Sequence, residues 1–114
     1  MYNKERSLTD IEKLRQYYEE DKVFITQHAF LRMKQRNIAL HDIRHAVING
    51  KIIKEYPNDK PFPSCLIAGQ VSDGESLHIV MSDNGTSANI ITTYIPDSDL
   101  WNEDLTKKKN KEQK

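Results

Sequence analysis

Cysteine is almost absent from this chain, since Cys65 is alone among 114 residues. A single cysteine excludes a disulfide within the chain, which is typical of a reducing compartment, and we expect Cys65 to be a small buried side chain. No apolar run approaches the roughly 20 residues that span a bilayer. The first residues, 1–5, have no signal-peptide character. These absences predict a cytoplasmic protein that does not enter a membrane.

Two other kinds of site also lack their signatures. The chain has no glycine-rich phosphate loop and no Cys-x-x-Cys pair. His41 and His45 have the four-residue spacing of a helical metal pair, but apart from the adjacent Asp42 no residue completes a ligand set. We therefore expect both histidines to face solvent, and we expect neither a metal nor another cofactor.

Charge is balanced overall but unevenly distributed. The formal net charge is zero, although residues 106–114 carry five lysines and Glu112, a net +4, so residues 1–105 carry −4. The lysine-rich tail 106–114 has no apolar anchor and is predicted to be disordered. Residues 22–41 contain four basic and no acidic side chains. This local patch is a candidate anion surface, and a solvated basic helix face is the alternative.

Apolar residues at helical spacing predict three helices in the first half of the chain. The first covers residues 8–20, with Ser7 and Asp10 in a capping-box-like pattern at its start. The second covers 27–35, with Thr26 as N-cap and Asn37 as a left-handed end. The third covers 40–48, and Gly50 follows it as a C-cap.

Shorter segments with turn signals follow. Strands are predicted over 51–56, 64–70, 77–82 and 89–95, with a hairpin turn at 83–85, and residues 23–25 read as a short lead-in strand. Helices followed by strands indicate an α+β fold. We predict N-terminal helices packed on a curved four-stranded antiparallel sheet, in one domain over residues 1–105.

The second helix carries His28, Arg32 and Arg36 at four-residue steps. Each step turns the helix by about 400°, so the three side chains lie within roughly 80° of one another. The stripe begins at the Thr26 N-cap, where main-chain N–H groups and the helix dipole favour an anion. An imidazole that titrates near neutral pH beside two guanidinium groups predicts a phosphate site. Pairing of the arginines with acidic side chains of the first helix or with Asp42 is the alternative.

A second histidine lies in the middle of an apolar strand. Alternation places His78 on the face opposite Leu77 and Ile79. A polar group in that position must have a partner or open onto a cleft. With His28 it would supply the two proton-transfer groups of phosphodiester cleavage, and a purely structural histidine is the alternative.

Tyr56 and Tyr94 lie at strand ends, close to prolines. Alternation predicts that Tyr94 shares a face with Thr92 and Ile90. A tyrosine hydroxyl can contact phosphate and its ring can stack on an unpaired base, whereas the alternative is a tyrosine that only seals the sheet edge. We expect Trp101 to anchor the C-terminal end of the domain.

The chain carries a series of short motifs between residues 23 and 101. The helix motif is Ile25-Thr26-Gln27-His28-Ala29-x-x-Arg32-Met33-x-x-Arg36-x-Ile38. It is followed by Asn49-Gly50, Ile52-Ile53-x-x-Tyr56-Pro57, Pro61-x-Pro63-Ser64, Leu77-His78-Ile79-Val80, Tyr94-x-Pro96-Asp97 and Trp101. Together they resemble a poorly characterised bacterial domain family with a His-Ala-x-x-Arg helix motif. That family is similar to the RelE/ParE-like toxin ribonucleases.

The resemblance implies a RelE-like toxin architecture and a small metal-independent RNA endonuclease that is the toxin of a toxin–antitoxin pair. Its partners would be RNA and a cognate antitoxin protein. The implied catalytic residues are His28, Arg32, His78 and Tyr94, and the implied substrate-binding residues are Arg36, Lys34 and Tyr56. The net-acidic body departs from the strongly basic toxin ribonucleases, and helix 8–20 lies outside the matching stretch. A non-catalytic module that binds a protein or an anion through the same basic helix face is the alternative.

Overall fold

Three helices precede most of the strands, as the change in periodicity predicts. The computed structural model describes residues 9–97. Its elements are α1 (Ile11–Glu19), β1 (Val23–Ile25), α2 (Gln27–Arg36), α3 (Leu40–Asn49), β2 (Lys51–Tyr56), β3 (Ser64–Gln70), β4 (Ser76–Asp83) and β5 (Ala88–Tyr94). The predicted α+β class is confirmed. The expectations for Ser7, Trp101 and the tail 106–114 fall outside the described residues.

The helix ends follow local capping chemistry. Asp10 caps α1, because its Oδ1 accepts a 3.0 Å hydrogen bond from the Glu12 N–H. Thr26 caps α2 as predicted, since Oγ1 accepts from the Ala29 N–H at 3.0 Å. Asn37 ends α2 in the left-handed conformation, with φ of 57°.

None of the helices within residues 9–97 has the length and apolar character needed to cross a lipid bilayer.

The sheet has five strands in the order β1-β5-β4-β3-β2. Strands β2 to β5 are antiparallel neighbours, and β1 adds to β5 in parallel, with Val23 opposite Ala88 and Ile25 opposite Ile90. The prediction of a four-stranded, wholly antiparallel sheet was therefore wrong in both respects. Three residues are too few to show a period, and no turn signal marks a parallel pairing between segments 65 residues apart.

The helices cover one face of the sheet, where the hydrophobic core lies. Gly69 on β3 permits the closest approach, because a Cβ there would lie 2.0 Å from the Ala46 carbonyl oxygen of α3. Gly50 does not adopt the left-handed conformation typical of a C-cap glycine, but its Cβ would lie 2.5 Å from the same oxygen. The core is formed by Leu14, Tyr17, Ala29, Met33, Ile38, Ile43, Ala46, Val47, Cys65, Ile67, Leu77, Ile79, Met81, Ala88 and Ile90.

A β-bulge in β5 decides which residues reach the other face. Met81 pairs with Ile90 whereas Val80 pairs with Thr92, so Ile91 is an extra residue in β5. Ile90 points into the core, but Tyr94 lies opposite His78, on the face away from the core. The prediction that Tyr94 shares a face with Ile90 was therefore wrong, because the bulge reverses the alternation.

Candidate functional site

His78 and Tyr94 form a pair on the sheet face away from the core. They are cross-strand neighbours in β4 and β5, and His78 Nδ1 lies 3.3 Å from Tyr94 Oη. The rings meet edge to face, with their centroids 5.3 Å apart. His78 is fully buried, while Tyr94 is partly exposed. Tyr94 thus lies between the buried imidazole and the accessible surface.

Both tyrosines predicted for the site are held in the neutral, proton-donating form. Burial, and secondarily the nearby Tyr56 phenol, raises the pKa of Tyr94 above its ordinary value of 10.0. The pKa of Tyr56 is also raised, first by burial and then by the negative charge of Asp59. At neutral pH each hydroxyl therefore keeps its proton and is available as a hydrogen-bond donor.

Arg36 is the member of the basic stripe that reaches the strand carrying Tyr94. Its Nη1 donates a 2.8 Å hydrogen bond to the carbonyl oxygen of Thr93, and Thr93 Oγ1 donates at 2.8 Å to the His78 carbonyl oxygen. The helix is held beside β5 because Thr26 Oγ1 lies within 3.1 Å of the Ile90 carbonyl oxygen. These bonds hold the Arg36 guanidinium group at Thr93, which is the residue before Tyr94 in β5.

The other end of the site is a groove beside Tyr56. It has a volume of about 630 Å³ and is lined by residues 55–59 and by Val80. Glu55 and Asp59 give this end two carboxylates, which accept hydrogen bonds from Thr9 and Ser64 respectively. Negative charge here disfavours a phosphate, so the end with Arg36 is the better place for an anion.

Lys54 belongs to the site but was missed in the sequence. Its Nζ lies 5.6 Å from the centre of the Tyr56 ring, a cation–π arrangement that places a positive charge next to this tyrosine. The sequence does contain a signal for this contact, because Lys54 and Tyr56 are two residues apart in a strand and such residues share a face. An isolated lysine in a strand is too common to be singled out without knowing what lies next to it.

The remaining predicted residues stay on the surface of α2. His28 is exposed in the first turn, Arg32 Nη1 donates to Gln35 Oε1 at 2.8 Å within the same helix, and Lys34 Nζ lies 5.6 Å from the centre of the Phe30 ring. Among residues 9–97, none of these three side chains has a hydrogen bond or ion pair to β4. The contacts therefore join His78, Tyr94 and Arg36, and leave His28 and Arg32 separate.

The two histidines considered as a metal pair have other partners. His45 Nδ1 lies 2.8 Å from the carbonyl oxygen of Gln70, and His41 Nε2 lies 3.4 Å from Asp42 Oδ1. Both residues are exposed, as expected. Within the described part of the chain, no group of three or more histidine, cysteine, aspartate or glutamate side chains is placed to hold a metal ion.

Comparison with known proteins identifies one family. The family model described as "Domain of unknown function (DUF4258)" matches residues 25–95, which cover α2, α3, all four antiparallel strands and the last residue of β1. No curated protein and no solved structure matches the chain. The match includes the helix motif with His28 and the strand residues His78 and Tyr94.

Proposed function

The chain belongs to the DUF4258 family, and because that description assigns no activity, we propose from the site that the protein is a metal-independent RNA endonuclease. It acts as the toxin of a toxin–antitoxin pair, with helices on an antiparallel meander in the manner of RelE-like toxins. The observation that carries this proposal is the His78–Tyr94 pair, together with Arg36 of α2, which bonds to the Thr93 carbonyl oxygen on the strand that carries Tyr94. Proton transfer next to a fixed cation is what phosphodiester cleavage by the ribose 2′-hydroxyl requires.

Tyr94 acts as the acid in this proposal. Its phenol has an ordinary pKa of 10.0, which burial raises further, so it is protonated at neutral pH and has a proton to donate to the leaving 5′-oxygen. His78 is fully buried and holds the phenol through Nδ1. His78 is therefore a positioning residue that acts through Tyr94.

His28 supplies the base and the arginines supply positive charge. No hydrogen bond among residues 9–97 joins His28 to Tyr94, so the proposal requires the bound RNA strand to span the distance from His28 on α2 to Tyr94 on β5. The exposed His28 imidazole then removes the proton of the 2′-hydroxyl, whose oxygen attacks phosphorus to form a 2′,3′-cyclic phosphate. Arg36, with Arg32 one helical turn before it, stabilises the charge that develops on the phosphate oxygens. The aromatic ring of Tyr56, at the acidic end of the site, stacks on a base.

Cleavage of a labelled single-stranded RNA in excess EDTA tests the assignment. Wild-type protein is expected to yield fragments ending in 2′,3′-cyclic phosphate. His28→Ala is expected to cut at least about 100-fold more slowly, the usual cost of losing a proton-transfer group. His41→Ala is the matched control, because His41 is also an exposed helix histidine but lies on α3. Equal rates for wild type and His28→Ala would remove His28 from the mechanism.

A non-catalytic binding module is the second candidate, favoured by the exposed surface of α2. Phe30 and Leu31 are 50% and 49% exposed beside His28 and Arg32, a combination typical of protein-binding helices. Growth on induction separates the two functions. Toxicity that is relieved by Arg32→Ala or Arg36→Ala, but not by Arg44→Ala on α3, supports the enzyme. No toxicity and no RNA cleavage by wild type would favour the binding module.

A further inference from the structure

Strand β1 is the last strand at one end of the sheet that residues 9–97 form, and no described strand pairs with its side away from β5. In a parallel ladder, every second residue of a strand directs its main-chain N–H and C=O groups toward the neighbouring strand. Here the Ala88 N–H donates to the Lys22 carbonyl oxygen at 2.9 Å, and the Thr26 N–H donates to the Ile90 carbonyl oxygen at 3.1 Å. The N–H and C=O groups of Val23 and Ile25 consequently point outward. They have no hydrogen-bond partner among residues 9–97. This edge is a template for one further strand.

An apolar groove lies next to this edge, on the helix-covered face of the sheet. It has a volume of about 370 Å³. Its apolar lining of Val23, Ile25, Leu40 and Ile90 is joined by the polar side chains of Tyr18, Asp21, His41 and Arg44. Leu40 is 54% exposed, a high value for a leucine at the mouth of a groove. Side chains of a strand added to β1 would alternate between this groove and the opposite face of the sheet.

Two polar side chains of the groove bear on what it can bind. The Tyr18 hydroxyl oxygen is buried and has no hydrogen-bond partner among residues 9–97. Arg44 lies with its guanidinium carbon 5.7 Å from the centre of the Tyr18 ring, and no carboxylate of residues 9–97 pairs with it. A buried unsatisfied hydroxyl is costly, and the exposed Arg44 guanidinium attracts negative charge, so an occupant that supplies acceptor oxygens is favoured.

We propose that this edge and groove form the docking site for an extended segment of a partner protein. The segment adds to β1 as a sixth strand of the sheet. It places an apolar side chain between Ile25 and Leu40 and presents an acidic residue to Arg44. Main-chain bonds to Val23 and Ile25 provide affinity, and the groove provides specificity. The proposal does not rest on the ribonuclease activity, since the groove and the His78–Tyr94 pair lie on opposite faces of the sheet.

The test is selection of a random twelve-residue peptide library, displayed on phage, against the full-length chain. Enriched peptides are expected to alternate apolar residues and to carry an acidic residue. A synthetic peptide of the enriched sequence is expected to protect the Val23 and Ile25 amides from hydrogen exchange. Val23→Pro removes an outward N–H and keeps the bonds to β5, so it should weaken binding at least about tenfold.

Two milder variants keep the edge intact in case Val23→Pro does not fold. Tyr18→Phe and Arg44→Gln are each expected to lower the affinity for the peptide by about five- to tenfold, which is the usual range for the loss of one hydrogen bond or charge contact. Tyr17→Phe is the matched control, because the Tyr17 hydroxyl already donates to Asp83 and Tyr17 does not line the groove.

Three results would overturn the docking site. The first is that no peptide is enriched. The second is that enriched peptides bind Tyr18→Phe and Arg44→Gln as tightly as they bind wild type. The third is that the chain forms a concentration-dependent dimer that Val23→Pro abolishes. The last result would make a second copy of the chain the occupant. RNA cleavage is expected to be unchanged in Tyr18→Phe, so failure here and failure of the proposed enzyme are distinguishable.

Discussion

Tyr17 and Tyr18 are adjacent on α1, yet their hydroxyl groups have opposite surroundings. Tyr17 Oη donates a 2.8 Å hydrogen bond to Asp83 Oδ1, whereas the buried Tyr18 hydroxyl has no partner in the part of the chain that the structure describes. Removing a bonded hydroxyl leaves its acceptor unsatisfied, while removing an orphaned one relieves a desolvation cost. The same chemical change therefore has opposite effects at consecutive positions.

We expect Tyr18→Phe to raise the free energy of unfolding by about 1 kcal/mol and Tyr17→Phe to lower it by about 1 kcal/mol. Urea denaturation of the free protein at pH 7 measures both, and each variant serves as the control for the other. If Tyr18→Phe destabilised the protein as much as Tyr17→Phe, its hydroxyl would have a partner in solution.

The candidate site was predictable residue by residue but not as an arrangement. Simple alternation placed His78 on the face away from the core, and its burial required a polar partner. The identity of that partner depends on the bulge at Ile91, for which the sequence has no clear signal. The stripe on α2 was predicted as one unit, but of its three residues only Arg36, at the end of the helix, bonds Thr93.

The packing of α3 against β3 depends on a glycine. At Gly69 a Cβ would lie 2.0 Å from the Ala46 carbonyl oxygen, which is helix backbone and cannot rotate away. Gly74 differs, because a Cβ there meets nothing within 4 Å but its φ of +94° strains any other residue. One glycine is required for space and the other for conformation.

We expect Gly69→Ala to cost about 3 kcal/mol or more of unfolding free energy, since α3 must move off the sheet. Gly74→Ala, the matched control, should cost about 1 kcal/mol from its backbone strain alone. Thermal or urea unfolding of both variants provides the comparison. Equal losses would mean that α3 adjusts without penalty.

Elements with local signals were predicted well, and those set by distant partners were not. The Thr26 cap and the Asn37 end define α2 within one residue of the predicted range. By contrast, β1 exists because Val23 to Ile25 lie beside a strand formed 65 residues later. No property of three residues indicates that pairing, and the same applies to the open edge it creates.

At the scale of the whole molecule, buried groups make the fold sensitive to alkali. Burial raises the pKa of Cys65 from 9.0 to about 11, and that of Tyr17 and Tyr18 from 10.0 to about 12. The folded protein therefore holds these protons more tightly than the unfolded chain does. The unfolded state ionises first as the pH rises, so each raised pKa stabilises the fold at neutral pH and loses that contribution in alkali.

The free energy of unfolding is accordingly expected to be constant near neutral pH and to fall as the pH rises from about 9 towards 12. Urea midpoints at a series of pH values measure this decline. In Cys65→Ala the part of the decline between pH 9 and 11 should be smaller than in wild type. A midpoint that stayed level or rose over this range would contradict the burial of these groups.

The two surfaces identified lie on opposite faces of one sheet. The face with His78 and Tyr94 carries neutral phenols, and Arg36 reaches β5 from α2 on the helix-covered side. The first surface is the proposed RNA site, and the edge of β1 is the proposed peptide site. Such a separation would let a protein partner bind without entering the RNA site. Inhibition by a partner at the β1 edge would then require an effect transmitted through β5, which both surfaces share.

The central claim is that the Tyr94 hydroxyl, held by His78, takes part in RNA cleavage. Single-turnover cleavage of a labelled RNA by Tyr94→Phe tests it most directly, with Tyr56→Phe as the control that also loses a phenol hydroxyl but keeps its stacking ring. The account predicts a fall of at least about 100-fold for Tyr94→Phe and a change of only a few-fold for Tyr56→Phe. Cleavage by Tyr94→Phe at the wild-type rate, or no cleavage by the wild type, would contradict it.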